Sequence, residues 1–157
     1  MLKFHNYDIV FQEIPGEITL AVNISNCPNR CIGCHSPHLQ KDTGDELTES
    51  ALSVLLEKYG NTVNCICFMG GDGSPDEVIR LAKFAKRFHK KTAWYSGKSN
   101  LFKNALPCFD YIKLGEYIKE LGGLNTPTTN QRFYKIENES IMDITEQFFK
   151  NKKYENN

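Results

Sequence analysis

Residues 17–35 read EITLAVNISNCPNRCIGCH and join a strand-like segment to a cysteine-rich loop. The first part, Glu17–Ile24, is rich in β-branched and apolar residues, which predicts a β-strand. Three cysteines follow it directly, Cys27, Cys31 and Cys34, in the spacing Cys-x3-Cys-x2-Cys. They are therefore expected just beyond the carboxyl end of a strand, where α/β sheets place their functional residues.

The number of cysteines in this loop indicates the kind of metal that it would bind. Structural zinc usually takes four protein ligands, commonly as two Cys-x2-Cys pairs. A 4Fe–4S cluster held by three cysteines leaves one iron without a protein ligand, so that a small molecule can bind there. The loop therefore predicts an iron–sulfur cluster on its three cysteines. One alternative is that the three cysteines are unconnected residues of a surface loop. The other is a zinc-binding interaction module with His35 or His38 as the fourth ligand; otherwise His38 is expected to be a polar loop residue.

Beyond the loop, helix-like and strand-like segments alternate along the chain. Amphipathic patterns predict helices at Thr48–Tyr59, Asp76–His89 and Asp143–Lys150. Apolar runs predict further strands at Asn64–Met69, Thr92–Ser96, Phe109–Leu114 and Arg132–Glu137. This alternation is typical of βαβ units and parallel sheets.

The length of 157 residues is too short for a complete eight-stranded barrel, which takes about 250. We therefore expect the α/β class, as a partial, open (β/α) barrel of mostly parallel strands. The prediction is one domain over residues 1–150, followed by a frayed polar tail at 151–157.

Composition excludes several classes of protein. The chain is 40% hydrophobic and 24% charged, which is ordinary for a globular protein. Lys plus Arg equals Asp plus Glu at 19 each, so charge gives no case for binding nucleic acid. No apolar run approaches membrane length and the first residues do not form a signal peptide, so no membrane association is expected. Six cysteines without a secretory signal predict a reducing, cytoplasmic location.

Two further segments are expected at the same edge of the sheet as the cysteines. Residues 68–75 read FMGGDGSP, and three glycines in four residues expose backbone amides and carbonyls after an apolar strand. Ser96 and Gly97 close the next predicted strand. An ordinary connecting turn remains the alternative for each segment.

The cysteine spacing, the strand before it and the Gly-Gly-Asp-Gly turn resemble the radical S-adenosylmethionine superfamily. Within it, the sequence is most similar to the glycyl-radical activases of anaerobic ribonucleotide reductases, which commonly have Cys-x-Gly-Cys followed by an aromatic residue or His. Gly33 departs from the superfamily, which often has an aromatic residue there. Asp72 stands where the superfamily has Glu, as is usual in the activases. The resemblance extends from Tyr7 to Arg132.

This resemblance implies one 4Fe–4S cluster, with S-adenosylmethionine chelated to the open iron. One electron would cleave the sulfonium to methionine and a 5′-deoxyadenosyl radical, which removes a hydrogen atom from a glycine of the large reductase subunit. The implied electron donor is a flavodoxin or a ferredoxin, and no side chain acts as acid or base. The implied cofactor-binding residues are Gly33, Cys34, His35, Gly70, Gly71, Asp72, Ser96 and Gly97.

Other segments are less specific. Thr129–Arg132 also resembles the activases and offers donors near the sheet edge, without an assigned role. The basic cluster Lys83–Lys91 is expected to complement a helix dipole, with docking of an acidic electron donor as the alternative. Cys65 and Cys67 are expected to share a strand face and pack as small hydrophobes. A different glycyl-radical enzyme, or a small molecule as in deazaguanine ring formation, is the alternative substrate.

Overall fold

A computed structural model describes residues 1–29 and 37–149, and the predicted tail at 151–157 lies outside them. Within these ranges two α-helices, α1 (Glu49–Tyr59) and α2 (Pro75–Lys86), and a helical segment at 146–149 accompany one sheet. Its eight described strands are β1 (Lys3–Val10), β2 (Thr19–Ile24), β3 (Asp45–Glu46), β4 (Cys65–Met69), β5 (Lys91–Tyr95), β6 (Tyr111–Leu114), β7 (Arg132–Glu137) and β8 (Ser140–Asp143). Short 3-10 turns lie at Pro37–Gln40 and Leu106–Cys108.

The sheet is mixed, with the strand order β3-β1-β2-β4-β5-β6-β7-β8. β2, β4, β5 and β6 are parallel neighbours, and these three pairings form its centre. The four outer pairings among the described strands are antiparallel. The α/β class is therefore confirmed, whereas the expectation of mostly parallel strands was wrong. The described strands form an open sheet, because its edge strands β3 and β8 do not pair with each other.

The antiparallel strands explain the error. β1 has no regular alternation of buried and exposed residues, but it pairs along the length of β2. β8 is exposed throughout and returns along β7 after Asn138 and Glu139, whose φ values of +50° and +63° suit a tight hairpin. The helix predicted from Asp143 consequently begins later, with helical backbone at 146–149.

Both helices lie near their predicted positions and pack on one face of the sheet. The Thr48 hydroxyl caps α1 by accepting from the backbone N–H of Ala51 at 3.1 Å, and Gly60 follows its last residue. Pro75 occupies the first turn of α2, where its missing N–H costs nothing. Leu52 of α1 and Val78 of α2 are fully buried in this core. Neither of these described helices is long and apolar enough to cross a lipid bilayer.

A second, smaller core lies on the opposite face of the sheet. Cys65 and Cys67 are fully buried there, beside the rings of Tyr111 and Phe133. Ile14, from the connection between β1 and β2, is also buried in this cluster. The prediction that both cysteines share one face and pack as hydrophobes is confirmed.

Burial of these thiols predicts a fall in stability at alkaline pH. Burial raises the pKa of Cys65 to about 12 and that of Cys67 well above its usual range. Unfolded cysteine ionises near pH 8.5. The free energy of unfolding should therefore hold below about pH 8.5 and decrease above it, by up to about 1.4 kcal/mol per pH unit for each thiol. Urea denaturation between pH 7 and 10 measures this slope.

The matched control is a chain with Cys65→Ala and Cys67→Ala together. It should be less stable than the native chain near pH 7 but lose less stability between pH 8.5 and 10. Equal slopes for the two proteins would show that these thiols do not cause the alkaline sensitivity.

Candidate functional site

The described candidate residues meet at one edge of the sheet. Cys27 follows β2, Gly70 and Asp72 follow β4, and Ser96 and Gly97 follow β5. Because these strands are parallel neighbours, their carboxyl ends lie side by side. The expectation that the three motifs share an edge is therefore confirmed for the described residues.

The carboxylate of Asp72 joins the three motifs by hydrogen bonds. Its Oδ2 accepts from the side-chain amide of Asn29 at 2.7 Å and from the backbone N–H of Gly97 at 2.8 Å. Its Oδ1 accepts from the Ser96 hydroxyl at 2.6 Å. Asp72 thus links the exits of β2, β4 and β5, which are far apart in sequence.

Gly97 is required by the close approach of this network. A Cβ atom at position 97 would lie 2.5 Å from Nδ2 of Asn29 and 3.4 Å from Oδ2 of Asp72. Gly97→Ala should therefore displace the Asn29 amide, the far end of a flexible side chain, and lower the free energy of unfolding by about 1 kcal/mol through the lost hydrogen bond to Asp72. Chemical denaturation measures the change.

Gly73→Ala is the control for this prediction. A Cβ atom there meets Pro28 at an ordinary contact distance of 3.9 Å. Its stability should stay within about 0.5 kcal/mol of the native value, as for most exposed substitutions. An equal loss in the two variants would mean that the contact with Asn29 is not what makes Gly97 necessary.

Backbone conformation and packing explain the other glycines of the turn. Gly70 and Gly71 have φ values of +108° and +92°, which favour glycine. The Gly70 carbonyl accepts from the indole N–H of Trp94 at 2.7 Å. A Cβ atom on Gly71 would lie 2.5 Å from Cγ2 of Val78, and would therefore point into the core. The role of this turn in binding a cofactor stays a prediction.

The cysteine loop is closed at its base by backbone hydrogen bonds. The N–H of Cys27 donates to the carbonyl of Leu39 at 2.8 Å, and the N–H of Asn26 donates to that of Lys41 at 2.9 Å. Cys27 itself is half-buried. The other predicted ligands and neighbours, Cys31, Gly33, Cys34 and His35, lie outside the described residues.

Two observations concern metal binding. Within residues 1–29 and 37–149, no three His, Cys, Asp or Glu side chains are grouped so as to hold an ion. Two of the three predicted cysteine ligands are not in these ranges, so the cluster stays a prediction. His38 is exposed and its ring lies 5.0 Å from that of His5, which suits a polar loop residue.

Lys113 is a residue of this edge that the sequence did not single out. It is buried in β6, and its ammonium donates to the carbonyls of Ser96 at 3.0 Å and Gly115 at 2.9 Å. The ammonium also lies 5.7 Å from the centre of the Tyr95 ring. The signal for this role in the sequence was a lysine within an apolar strand. The Lys113 ammonium places a positive charge beside the carboxyl end of β5.

The segment Thr129–Arg132 mainly fixes the exit of β6. The side-chain amide of Gln131 donates to the Gly115 carbonyl at 3.3 Å, and that of Asn130 donates to the Glu116 carbonyl at 3.1 Å. These two donors lie near the sheet edge as expected. The guanidinium of Arg132 instead pairs with Asp143, at 2.8 Å, and belongs to the β7–β8 hairpin.

The basic cluster Lys83–Lys91 is largely engaged within the protein. Lys86 pairs with Asp110 at 3.0 Å, and Lys91 pairs with the buried Glu17 at 2.7 Å. The ammonium of Lys90 donates to the carbonyls of Gly60 and Val63. These contacts join the end of α2 and the start of β5 to neighbouring segments, which gives the cluster a structural role.

No protein-family model, curated protein or solved structure matches the chain. Its functional interpretation therefore depends on its own residues and their geometry.

Proposed function

We propose that the chain is a radical S-adenosylmethionine activase that generates a glycyl radical on an anaerobic ribonucleotide reductase. The observation that supports the proposal best is the Asp72 network. It joins the exits of β2, β4 and β5, and these exits carry the three motifs from which the function was predicted. The described residues that are proposed to bind the cofactor, Gly70, Gly71, Asp72, Ser96 and Gly97, therefore follow two neighbouring parallel strands.

One of the three proposed cluster ligands, Cys27, lies among the described residues. Cys27 offers a half-buried thiol at the edge, and the loop that begins with it is closed at its base. Cys27, Cys31 and Cys34 would hold the cluster, which supplies the electron for cleavage of S-adenosylmethionine when bound. The turn at Gly70–Asp72 and the pair Ser96 and Gly97 would bind and orient the cofactor.

The parallel centre of the sheet is the part that suits the expected architecture. β2, β4, β5 and β6, with both helices on one face, would correspond to the core of a partial, open (β/α) barrel. An open side would let a loop of a large protein reach the cofactor. We propose a cytoplasmic activase whose partners are the large glycyl-radical subunit and an electron donor such as flavodoxin or ferredoxin.

The first test is the metal content of the anaerobically purified protein. The proposal predicts a brown protein with about four irons per chain, the content of one 4Fe–4S cluster. A colourless protein that holds zinc would instead support the alternative of an interaction module. Such a result would overturn the activase.

The second test concerns the substrate. The reduced protein, with S-adenosylmethionine and the large reductase subunit, should give a glycyl radical signal by electron paramagnetic resonance. Air should abolish the signal, because oxygen destroys both cluster and radical. If S-adenosylmethionine were cleaved without a radical forming on the reductase, the superfamily assignment would stand. The assignment of the reductase as the partner would be overturned.

A further inference from the structure

We propose that Asp72 is a positioning residue for the cysteine loop. Its carboxylate would hold the start of the loop, through Asn29, against the exits of β4 and β5. Loading of metal onto the loop would then depend on a side chain that does not bind the metal. The metal part of this inference rests on the proposed function, whereas the anchoring of Asn29 does not.

The carboxylate is well placed to anchor another segment because two partners from β5 orient it. The backbone N–H of Gly97 fixes Oδ2, and the hydroxyl of Ser96, a residue only 3% exposed, fixes Oδ1. The Ser96 hydroxyl in turn accepts from the backbone N–H of Lys98 at 3.1 Å. Asp72 therefore offers Asn29 an acceptor whose position is already set.

The bond from Asn29 crosses to the cysteine segment. Asn29 lies two residues after Cys27, and its amide donates to Asp72 over 2.7 Å and 43 residues of sequence. A hydrogen bond to an ionised carboxylate is about twice as strong as a neutral one. Gly97, without a side chain, leaves the space that the Asn29 amide occupies. Asp72, which follows β4, and Ser96 and Gly97, which follow β5, thus form a binding site for the Asn29 side chain.

The anchoring is tested first in the metal-free protein. The side-chain amide of Asn29 should give a nuclear magnetic resonance signal shifted from those of exposed asparagines and slow to exchange with solvent. Asp72→Ala should shift the Asn29 amide resonance to the chemical shift of exposed asparagines. It should also accelerate exchange of this amide with solvent about tenfold or more, the factor for loss of one charge-assisted hydrogen bond. An unchanged Asn29 signal would overturn the inference whatever metal the protein binds.

Asp110→Ala is the matched control. Asp110 also accepts from a backbone N–H of β5, that of Thr92 at 2.9 Å, and from a side chain, Lys86, at 3.0 Å. Asp110 contacts the start of β5, whereas Asp72 contacts the residues that follow its end. Its removal should lower stability without moving the Asn29 signal, and movement of the signal in this control would overturn the specific role of Asp72.

Exchanging the amide and the carboxylate between positions 29 and 72 distinguishes a positioning role from a general loss of stability. Asn29→Asp alone would bring two carboxylates together, and like charges at such distances repel strongly. Adding Asp72→Asn restores one donor and one acceptor between positions 29 and 72, but it removes the acceptor that Oδ2 gave to the Gly97 N–H. Iron loading after anaerobic reconstitution should decrease about tenfold in the single variant and recover in part in the double variant.

The outcomes distinguish the two proposals. Equal iron loading in native protein, Asn29→Asp and Asp72→Ala would overturn the positioning role and leave the activase intact. A native protein that takes up no iron–sulfur cluster, but whose Asn29 signal depends on Asp72, would overturn the activase and retain the anchor.

Discussion

Iron binding and cleavage of S-adenosylmethionine are expected to be lost when Cys31 is replaced by alanine. The same result is expected for Cys27→Ala and Cys34→Ala, because two thiolates do not hold a 4Fe–4S cluster that already lacks a fourth protein ligand. Iron analysis, the visible spectrum and release of 5′-deoxyadenosine measure the loss. Full iron content and activity in Cys31→Ala would end the cluster hypothesis.

The controls for this experiment are the buried cysteines. Cys65 and Cys108 lie in the two apolar cores with at most 2% exposure. Their alanine variants should keep the cluster and lose only packing, about 1 kcal/mol of stability. Loss of iron from these controls would mean that folding, and not ligation, limits cluster uptake.

Phe133→Ala is expected to cause the largest loss of stability, about 3–5 kcal/mol as for other buried aromatic truncations. Phe133 is fully buried in the smaller core, and its ring centre lies 5.9 Å from that of Tyr111 and 6.1 Å from that of Tyr95. Domains of this kind have only about 5–15 kcal/mol of total stability. Thermal and urea denaturation should show a strongly lowered midpoint.

Phe11→Ala is the matched control, since that ring is 67% exposed. It should change the stability by less than about 0.5 kcal/mol. A small effect of Phe133→Ala as well would show that the face opposite the helices adds little to the fold.

Local signals predicted α1, α2 and the parallel centre of the sheet well. Thr48 is a good capping residue before an amphipathic run, and the structure uses it as a cap. The apolar run at Cys65–Met69 predicts a buried strand, because both of its faces are covered. Parallel order then brings the residues after each strand to one edge. The common location of Cys27, Asp72 and Ser96 follows from that order.

The antiparallel strands and the contacts of the site could not be predicted in the same way. β8 is exposed and short, so no apolar alternation marks it. The bond between Asn29 and Asp72 depends on the final positions of two loops, and nothing local to either residue identifies its partner. Sequence thus indicated at which edge of the sheet the candidate residues lie, but not how they contact one another.

The closed base of the cysteine loop would have a thermodynamic consequence for the proposed metal uptake. Residues 28–38 separate Cys27 from Leu39, whose backbones already meet in the folded chain. Bringing the two ends of a flexible segment together carries an entropic cost, which grows slowly with its length. Because folding of the sheet already brings Cys27 and Leu39 together, this entropic cost of loop closure would not fall on metal binding. Cluster assembly on this loop would then start from ends that are already joined, so its affinity should decline if the hydrogen bonds to Leu39 and Lys41 were removed.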